Sequence, residues 1–143
     1  MQKETEVPIR CEIVTQDRPL FSGDVDMVVA PGSEGVLGIL PHHTPLLTTL
    51  SYGILIVKQA GKEEAFAIAG GIMEVLPDAV TILADVGERV EEIDVARAEA
   101  ARARAEELLK KAPGEGTEAY LKAMTSLRRS QLRLDAARKF RKG

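Results

Sequence analysis

The sequence contains one cysteine, Cys11, no tryptophan, and only three phenylalanines and two tyrosines among 143 residues. A single thiol excludes an internal disulfide framework and any multi-cysteine zinc site. Aromatic residues at 3% leave few platforms on which nucleobases could stack. The formal net charge of −3 is not the basic balance of a dedicated nucleic-acid binder. No apolar run approaches the ~18 residues of a transmembrane helix, and residues 1–8 are too polar for a signal peptide. These absences point to a soluble intracellular protein. The length fits one domain, or one small domain with an appendage, and a core without covalent staples is feasible at this size.

What is present is divided unevenly. Residues 1–87 hold 5 Lys and Arg against 12 Asp and Glu, whereas residues 88–143 hold 14 against 10. Glycine divides 9 to 3 and proline 6 to 1 at the same point, and the second part carries 11 alanines. Turn-formers dominate the first part and helix-formers the second. Two architectures meet near Gly87, giving expected domains of 1–87 and 88–143.

The first part reads as short strands. Ile9, Cys11 and Ile13 alternate with Arg10 and Glu12, and Val25, Met27 and Val29 repeat the pattern. Further strands are expected over 54–57, 64–69, 72–76 and 80–84. Turn signals recur about every ten residues, among them Pro31-Gly32, Gly53, Gly61, Gly70-Gly71 and Pro77-Asp78. That spacing predicts an all-β antiparallel sandwich or barrel.

The second part reads as an antiparallel two-helix hairpin. Asp94 is a suitable N-cap for a first helix, along which Ala98, Ala101, Ala105, Leu108 and Ala112 draw a narrow apolar stripe. Residues 113–116 (PGEG) stop that helix and Thr117 can cap the next. Tyr120, Met124, Leu127, Leu134 and Ala137 form the second stripe. A stripe of alanines buries little area at ~25 cal/mol per Å², so the hairpin is expected to be marginal and able to move.

Independent catalysis finds no support. The glycines at 32, 35 and 38 belong to no GxxxxGK[ST] string, and Gly70-Gly71 introduces no helix; both sets read as turn or bulge glycines. His42 and His43 would point to opposite faces of an extended chain and have no cysteine cluster or HExxH beside them. Cys11 alternates like a core residue and has no basic activator nearby in the sequence. No acid/base pair of carboxylates is recognisable. The chain is expected to be no enzyme by itself and to hold no metal.

Four strings, in order, carry a family resemblance: GVLGILPHHTPLLTTL (35–50), AIAGGIMEV (67–75), VTILADVGER (80–89) and IDVARA (93–98). Together they resemble the epsilon subunits of bacterial F-type ATP synthases, called delta in mitochondria. The resemblance implies a sandwich head of about ten short antiparallel strands followed by two C-terminal helices. It implies a non-catalytic place in the rotor stalk of a proton-translocating ATP synthase, with the head bound to the gamma subunit and touching the c-ring. It further implies a peripheral location on the cytoplasmic face of the cell membrane, without membrane insertion and without nucleic acid. The helices are expected to regulate: folded down they permit ATP hydrolysis, and extended beside gamma they obstruct it.

Two sets of residues follow from the resemblance. IDVARA is similar to the I/L-D-x-x-R-A motif of relatives that bind ATP on the folded hairpin, and Glu88, Ile93, Asp94, Arg97, Ala98, Arg104, Arg129 and Arg133 match the positions used there. Guanidinium forks suit phosphate oxygens, a carboxylate can accept from the adenine amino group, and a small alanine leaves room for the base. No cofactor is required; ATP, with or without Mg2+, is a regulatory ligand. The second set, Lys122, Arg128, Arg129, Arg133 and Arg138, with Lys139, Arg141 and Lys142, suits an acidic partner surface, which in this family lies on the beta subunits, beside alpha, in the extended state. The same basic residues also fit an ordinary solvated helix face. Two other functions compete: a stand-alone ATP-sensing module, and a nucleic-acid-binding β-barrel with a basic helical tail.

Overall fold

The structure, a computed structural model, describes residues 7–141 and divides into two compact units, the first ending at Arg89 and the second beginning at Val90. Lys142 lies outside the described residues.

The described residues of the first unit form eight strands: β1 Ile9–Val14, β2 Pro19–Val25, β3 Met27–Gly32, β4 Gly35–Ile39, β5 Leu46–Gln59, β6 Lys62–Leu76, β7 Ala79–Ala84 and β8 Gly87–Arg89. They run in the order β2-β1-β7-β6-β5-β3-β4, with β8 added on β6. The sandwich class expected from the turn spacing is the one observed. Three details differ. The strands are fewer than about ten among the described residues, two of them are long, and β1 pairs with β7 in parallel.

The long strands explain the count. β5 and β6 pair from Leu46↔Val75 to Gln59↔Lys62 and serve both layers of the sandwich. Along one edge of β6, Gly71–Leu76 pairs with β7, while Phe66–Ile68 pairs with β8. The bend between these halves falls at Gly70 (φ 85°) and Gly71 (φ 143°), where L side chains are strained. A Cβ on Gly71 would also strike the Leu83 carbonyl oxygen. Gly70-Gly71 therefore folds one strand over where the sequence suggested two. At Asp26 the opposite happens: the run through Val25, Met27 and Val29 divides into β2 and β3, and the Asp26 N–H turns to the Lys58 carbonyl at 2.7 Å.

Alternation then builds the core. Ile9, Cys11 and Ile13 from β1, Phe66 and Ile68 from β6, and Ile82 from β7 are fully buried, joined by Ile39, Leu55 and Met73. Burial pushes the Cys11 thiol up to about 12, which removes thiolate chemistry at ordinary pH.

β8, not expected from the pattern, closes this unit through its last residue. Arg89 donates to Glu64 Oε2 at 2.5 Å and to the Leu20 carbonyl at 2.6 Å. Its guanidinium lies 5.3 Å from the centroid of the Phe66 ring, which meets Phe21 edge-on at 6.1 Å. The first unit thus runs two residues past Gly87.

The second unit opens with a 3-10 turn, Val90–Glu92, followed by α1 Val95–Lys111 and α2 Glu118–Phe140. Asp94 caps α1, its carboxylate accepting from the Arg97 N–H at 3.0 Å. Thr117 caps α2, accepting from the Tyr120 N–H at 3.2 Å. The helices pack on each other, but the seam differs from the expected stripes. Its buried members are Ala98 and Ala105 on α1, and Ala123, Ser130 and Ala136 on α2. Leu108 is 52% exposed, and Tyr120, Met124, Leu127 and Leu134 are only half-buried. Small residues seven apart let two backbones approach closely, which moves the longer side chains to the flanks. Ser130 joins the seam without an orphaned hydroxyl, because its Oγ donates to the Leu127 carbonyl at 3.0 Å.

Candidate functional site: a hairpin lined with arginines and an apolar sheet face

Of the residues matched to a nucleotide site, all but one lie in the second unit. Glu88 is the exception and sits in β8 of the first. Ile93 is buried just ahead of the Asp94 cap. Arg97 and Arg104 are exposed and each directly precedes a buried seam residue, Ala98 and Ala105 respectively. Arg129 is exposed and precedes buried Ser130; Arg133, one turn on, is half-buried. Two of the four arginines thus lie on each helix, and Arg97, Arg104 and Arg129 each stand next to a seam residue in the chain. Ala98, expected to leave room for a base, is 1% exposed and fills the seam instead. Asp94 is already engaged, because its carboxylate holds the first turn of α1.

The basic residues assigned to an acidic partner are less uniform than their sequence suggests. Lys122 pairs with Glu118 at 3.0 Å and Arg138 with Asp135 at 3.3 Å, both within one helical turn. Such exposed pairs contribute ~0.2–0.5 kcal/mol and exchange readily for another carboxylate. Arg141 is different. Its guanidinium donates to the backbone carbonyls of Val90, Glu91 and Ile93 and so is occupied within its own unit. The sequence set Arg141 among the basic residues suited to an acidic partner; no local pattern signals a contact spanning 48 to 51 residues.

A second candidate surface lies on the outer face of the sandwich. Ile72 and Leu83 are register partners, 46% and 52% exposed, and both point away from buried Met73 and Ile82. Leu47 at 71% and Leu76 at 41% extend this apolar area along β5 and β6, and Val36 at 75% and Leu40 at 54% add apolar groups at β4. Polar strand faces ordinarily meet water, so an outward row of Ile and Leu fits a docking surface. The turn from β4 to β5 carries His42 and His43. His42 has φ 67° and donates its N–H to the Pro77 carbonyl at 2.8 Å, so this segment is a tight turn and not the extended chain assumed from the sequence. Among the described residues no group of three or more His, Cys, Asp or Glu is placed to hold a metal ion.

The family model of the ATP synthase delta/epsilon chain β-sandwich domain matches residues 8–90, and that of the long α-helix domain of the same chain matches residues 91–138. The chain belongs to the ATP synthase delta/epsilon family. It is 49% identical over 132 residues to the ATP synthase epsilon chain of Herpetosiphon aurantiacus, covering 92% of this chain and 96% of that one. The epsilon chain of Dehalococcoides mccartyi is 49% identical over 138 residues, with 94% and 95% covered. That of Pelotomaculum thermopropionicum is 58% identical over 102 residues, covering 71% and 76%. Among solved structures, a chain of the Euglena gracilis mitochondrial ATP synthase (OSCP, F1 and c-ring in rotational state 1) superposes with a TM-score of 0.76 at 25% identity. It matches 96% of this chain and 85% of the other. The Herpetosiphon, Dehalococcoides and Euglena chains match nearly the whole length, so the sandwich and the hairpin belong together as one epsilon subunit of the central stalk.

Proposed function

We propose that the protein is a non-catalytic rotor-stalk subunit whose sandwich docks on gamma and the c-ring and whose hairpin regulates ATP hydrolysis. The observation that carries the reading is the apolar row of Leu47, Ile72, Leu76 and Leu83 on an outer sheet face, in a chain whose relatives are ATP synthase epsilon chains. A rigid face of this kind transmits torque by being clamped between partners, with no bond chemistry of its own. The Euglena neighbour was solved with F1 and the c-ring, which supports gamma and the c-ring as partners here. No described helix is long and apolar enough to cross a membrane. On this reading the subunit is a peripheral part of the proton-driven synthase, on the cytoplasmic side of the cell membrane.

Regulation rests on the hairpin. Folded, it gathers Arg97, Arg104, Arg129 and Arg133 along one seam, where their forks suit the phosphate chain of ATP, with or without Mg2+. Glu88, Ile93, Asp94 and Ala98 complete the matched set. Extended, the arginines of the two helices separate and the nucleotide site is lost, while Lys122, Arg128, Arg129, Arg133 and Arg138 become available to acidic surfaces on the beta and alpha subunits. ATP binding only the folded form stabilises it by ~2.7 kcal/mol at a hundredfold excess over Kd.

Calorimetric titration of the isolated chain with ATP and Mg2+ tests this directly. Binding should weaken by ~1.5–3 kcal/mol in Arg97→Ala, the usual worth of a charged hydrogen bond. Absence of heat at millimolar ATP would make the arginines a solvated face and leave only the docking role.

A further inference from the structure

Arg141 occupies a position that neither phosphate recognition nor an acidic partner accounts for. It ends α2, its backbone N–H returning to the Ala137 carbonyl at 3.2 Å. Its Nη2 reaches back to the segment that leads into α1, donating to the Val90 carbonyl at 3.0 Å, to the Glu91 carbonyl at 3.4 Å and to the Ile93 carbonyl. The two hydrogens of Nη2 are thus shared among three acceptors. The arrangement is economical in both directions. The Val90 carbonyl accepts both from the Ile93 N–H, at 3.2 Å, and from the guanidinium, which at the end of α2 also answers the negative end of that helix.

The position matters because the rest of the hairpin is held by small groups. Its seam consists of four alanines and a serine, and its two caps stabilise each helix separately without joining them. Arg141 joins the last residue of α2 to the first residues of the unit, which is where the two helices must part if the hairpin opens. We propose that Arg141 is the clasp of the folded hairpin, a backbone-carbonyl lock whose release precedes extension. The proposal rests on the reading that the hairpin opens at all. The clasp is insensitive to the sequence of the linker, because it grips carbonyls. It is sensitive to the reach of the donor, because one terminal nitrogen, Nη2, makes all three contacts, and the ammonium of a shorter lysine falls short of them.

The test uses the full chain with Ala103→Cys and Gln131→Cys, both at exposed sites one on each helix. The buried Cys11 remains unlabelled. Pulsed spin-label distances then report the ratio of open to closed hairpin. Arg141→Ala should raise that ratio roughly tenfold or more, as expected for loss of a charged donor, and Arg141→Lys should fall between the two. ATP should bind Arg141→Ala more weakly by the factor by which the closed fraction falls, although Arg141 touches no nucleotide. If Arg141→Ala leaves the distances unchanged while mild urea separates the labels in the unaltered protein, the clasp is wrong and the mobile hairpin stands. If Arg141→Lys closes the hairpin as firmly as arginine, simple charge attraction replaces the clasp. If the labels stay together in every variant until the sandwich melts, the hairpin does not open, and the regulatory reading falls together with the clasp.

Discussion

The two units of this chain bury their apolar residues by different means. The sandwich places Phe66, Ile9, Ile13, Ile39, Leu55, Ile68, Met73 and Ile82 out of contact with water, each contributing ~1.5–3 kcal/mol of burial. The hairpin fully buries Ala98, Ala105, Ala123 and Ala136 in its seam and leaves Leu108 and Leu121 more than half exposed. A methyl group removes far less area from water than an isoleucine side chain. The difference teaches how each unit is held: one is fixed by volume, the other by close backbone approach and a few directed hydrogen bonds. The proposed stalk role asks for both, a docking face that keeps its shape and a hairpin that changes it.

The comparison is broken most directly at Phe66. Phe66→Ala removes a fully buried ring, the edge-on contact with Phe21 and the surface beneath the Arg89 guanidinium. It should cost the sandwich ~3–5 kcal/mol, measured as a fall in the urea midpoint of the strand signal. The helical signal near the caps should hold until the sandwich unfolds. A loss below 1 kcal/mol would show that the sandwich is not fixed by core volume.

This partition was largely visible in the residues. Alternation at Ile9, Cys11 and Ile13, the cap at Asp94 and the stop at Pro113 are local signals, and local signals survive folding. What the sequence hid was non-local. β4, with its two glycines, and three-residue β8 carry too little pattern to be read, and each is a strand only because a neighbour supplies hydrogen bonds. Gly70-Gly71 reads as a turn or a bulge; the ladders to β7 and β8 on either side decide for a bend within one strand. On the hairpin, the period of three and four correctly marks Ala98 and Ala105. It overestimates Leu108, Met124 and Leu127, because helices that approach on alanines push larger groups aside. The arginines bordering the seam follow from the family motif, whereas the contacts of Arg141 have no counterpart in the sequence.

A smaller effect sharpens the boundary between the units. A chain ending at Arg89 keeps β8 and its closing contacts; one ending at Gly87 loses the bond to the Leu20 carbonyl, the pairing with Glu64 and the cation over Phe66. The carbonyl bond contributes ~1.5–3 kcal/mol and the ring contact ~0.5–1 kcal/mol, with little from the exposed ion pair. The shorter chain should therefore melt with about 2–4 kcal/mol less stability. Arg89→Ala in the full chain should reproduce most of that loss. Equal stability of the two truncated chains would place the boundary at Gly87, as composition alone suggested.

The smallest of these effects is also the most diagnostic for the hairpin. Ala105 is 1% exposed in the seam, so Ala105→Leu tests whether the helices touch or merely lie near each other. If they touch, the extra carbons force them apart and the hairpin loses ~1–3 kcal/mol, the usual penalty of overpacking. Helix propensity offers no compensation, because leucine does not exceed alanine. Ala103→Leu, at an exposed position on the same helix, supplies the control and should stay within about 0.5 kcal/mol. Thermal melting of the helical signal in both variants separates the cases. A seam with empty space would accept the leucine, bury it and become more stable, reversing the sign. Then the weakness of the hairpin would come from a gap between the helices, not from the small area that alanines bury.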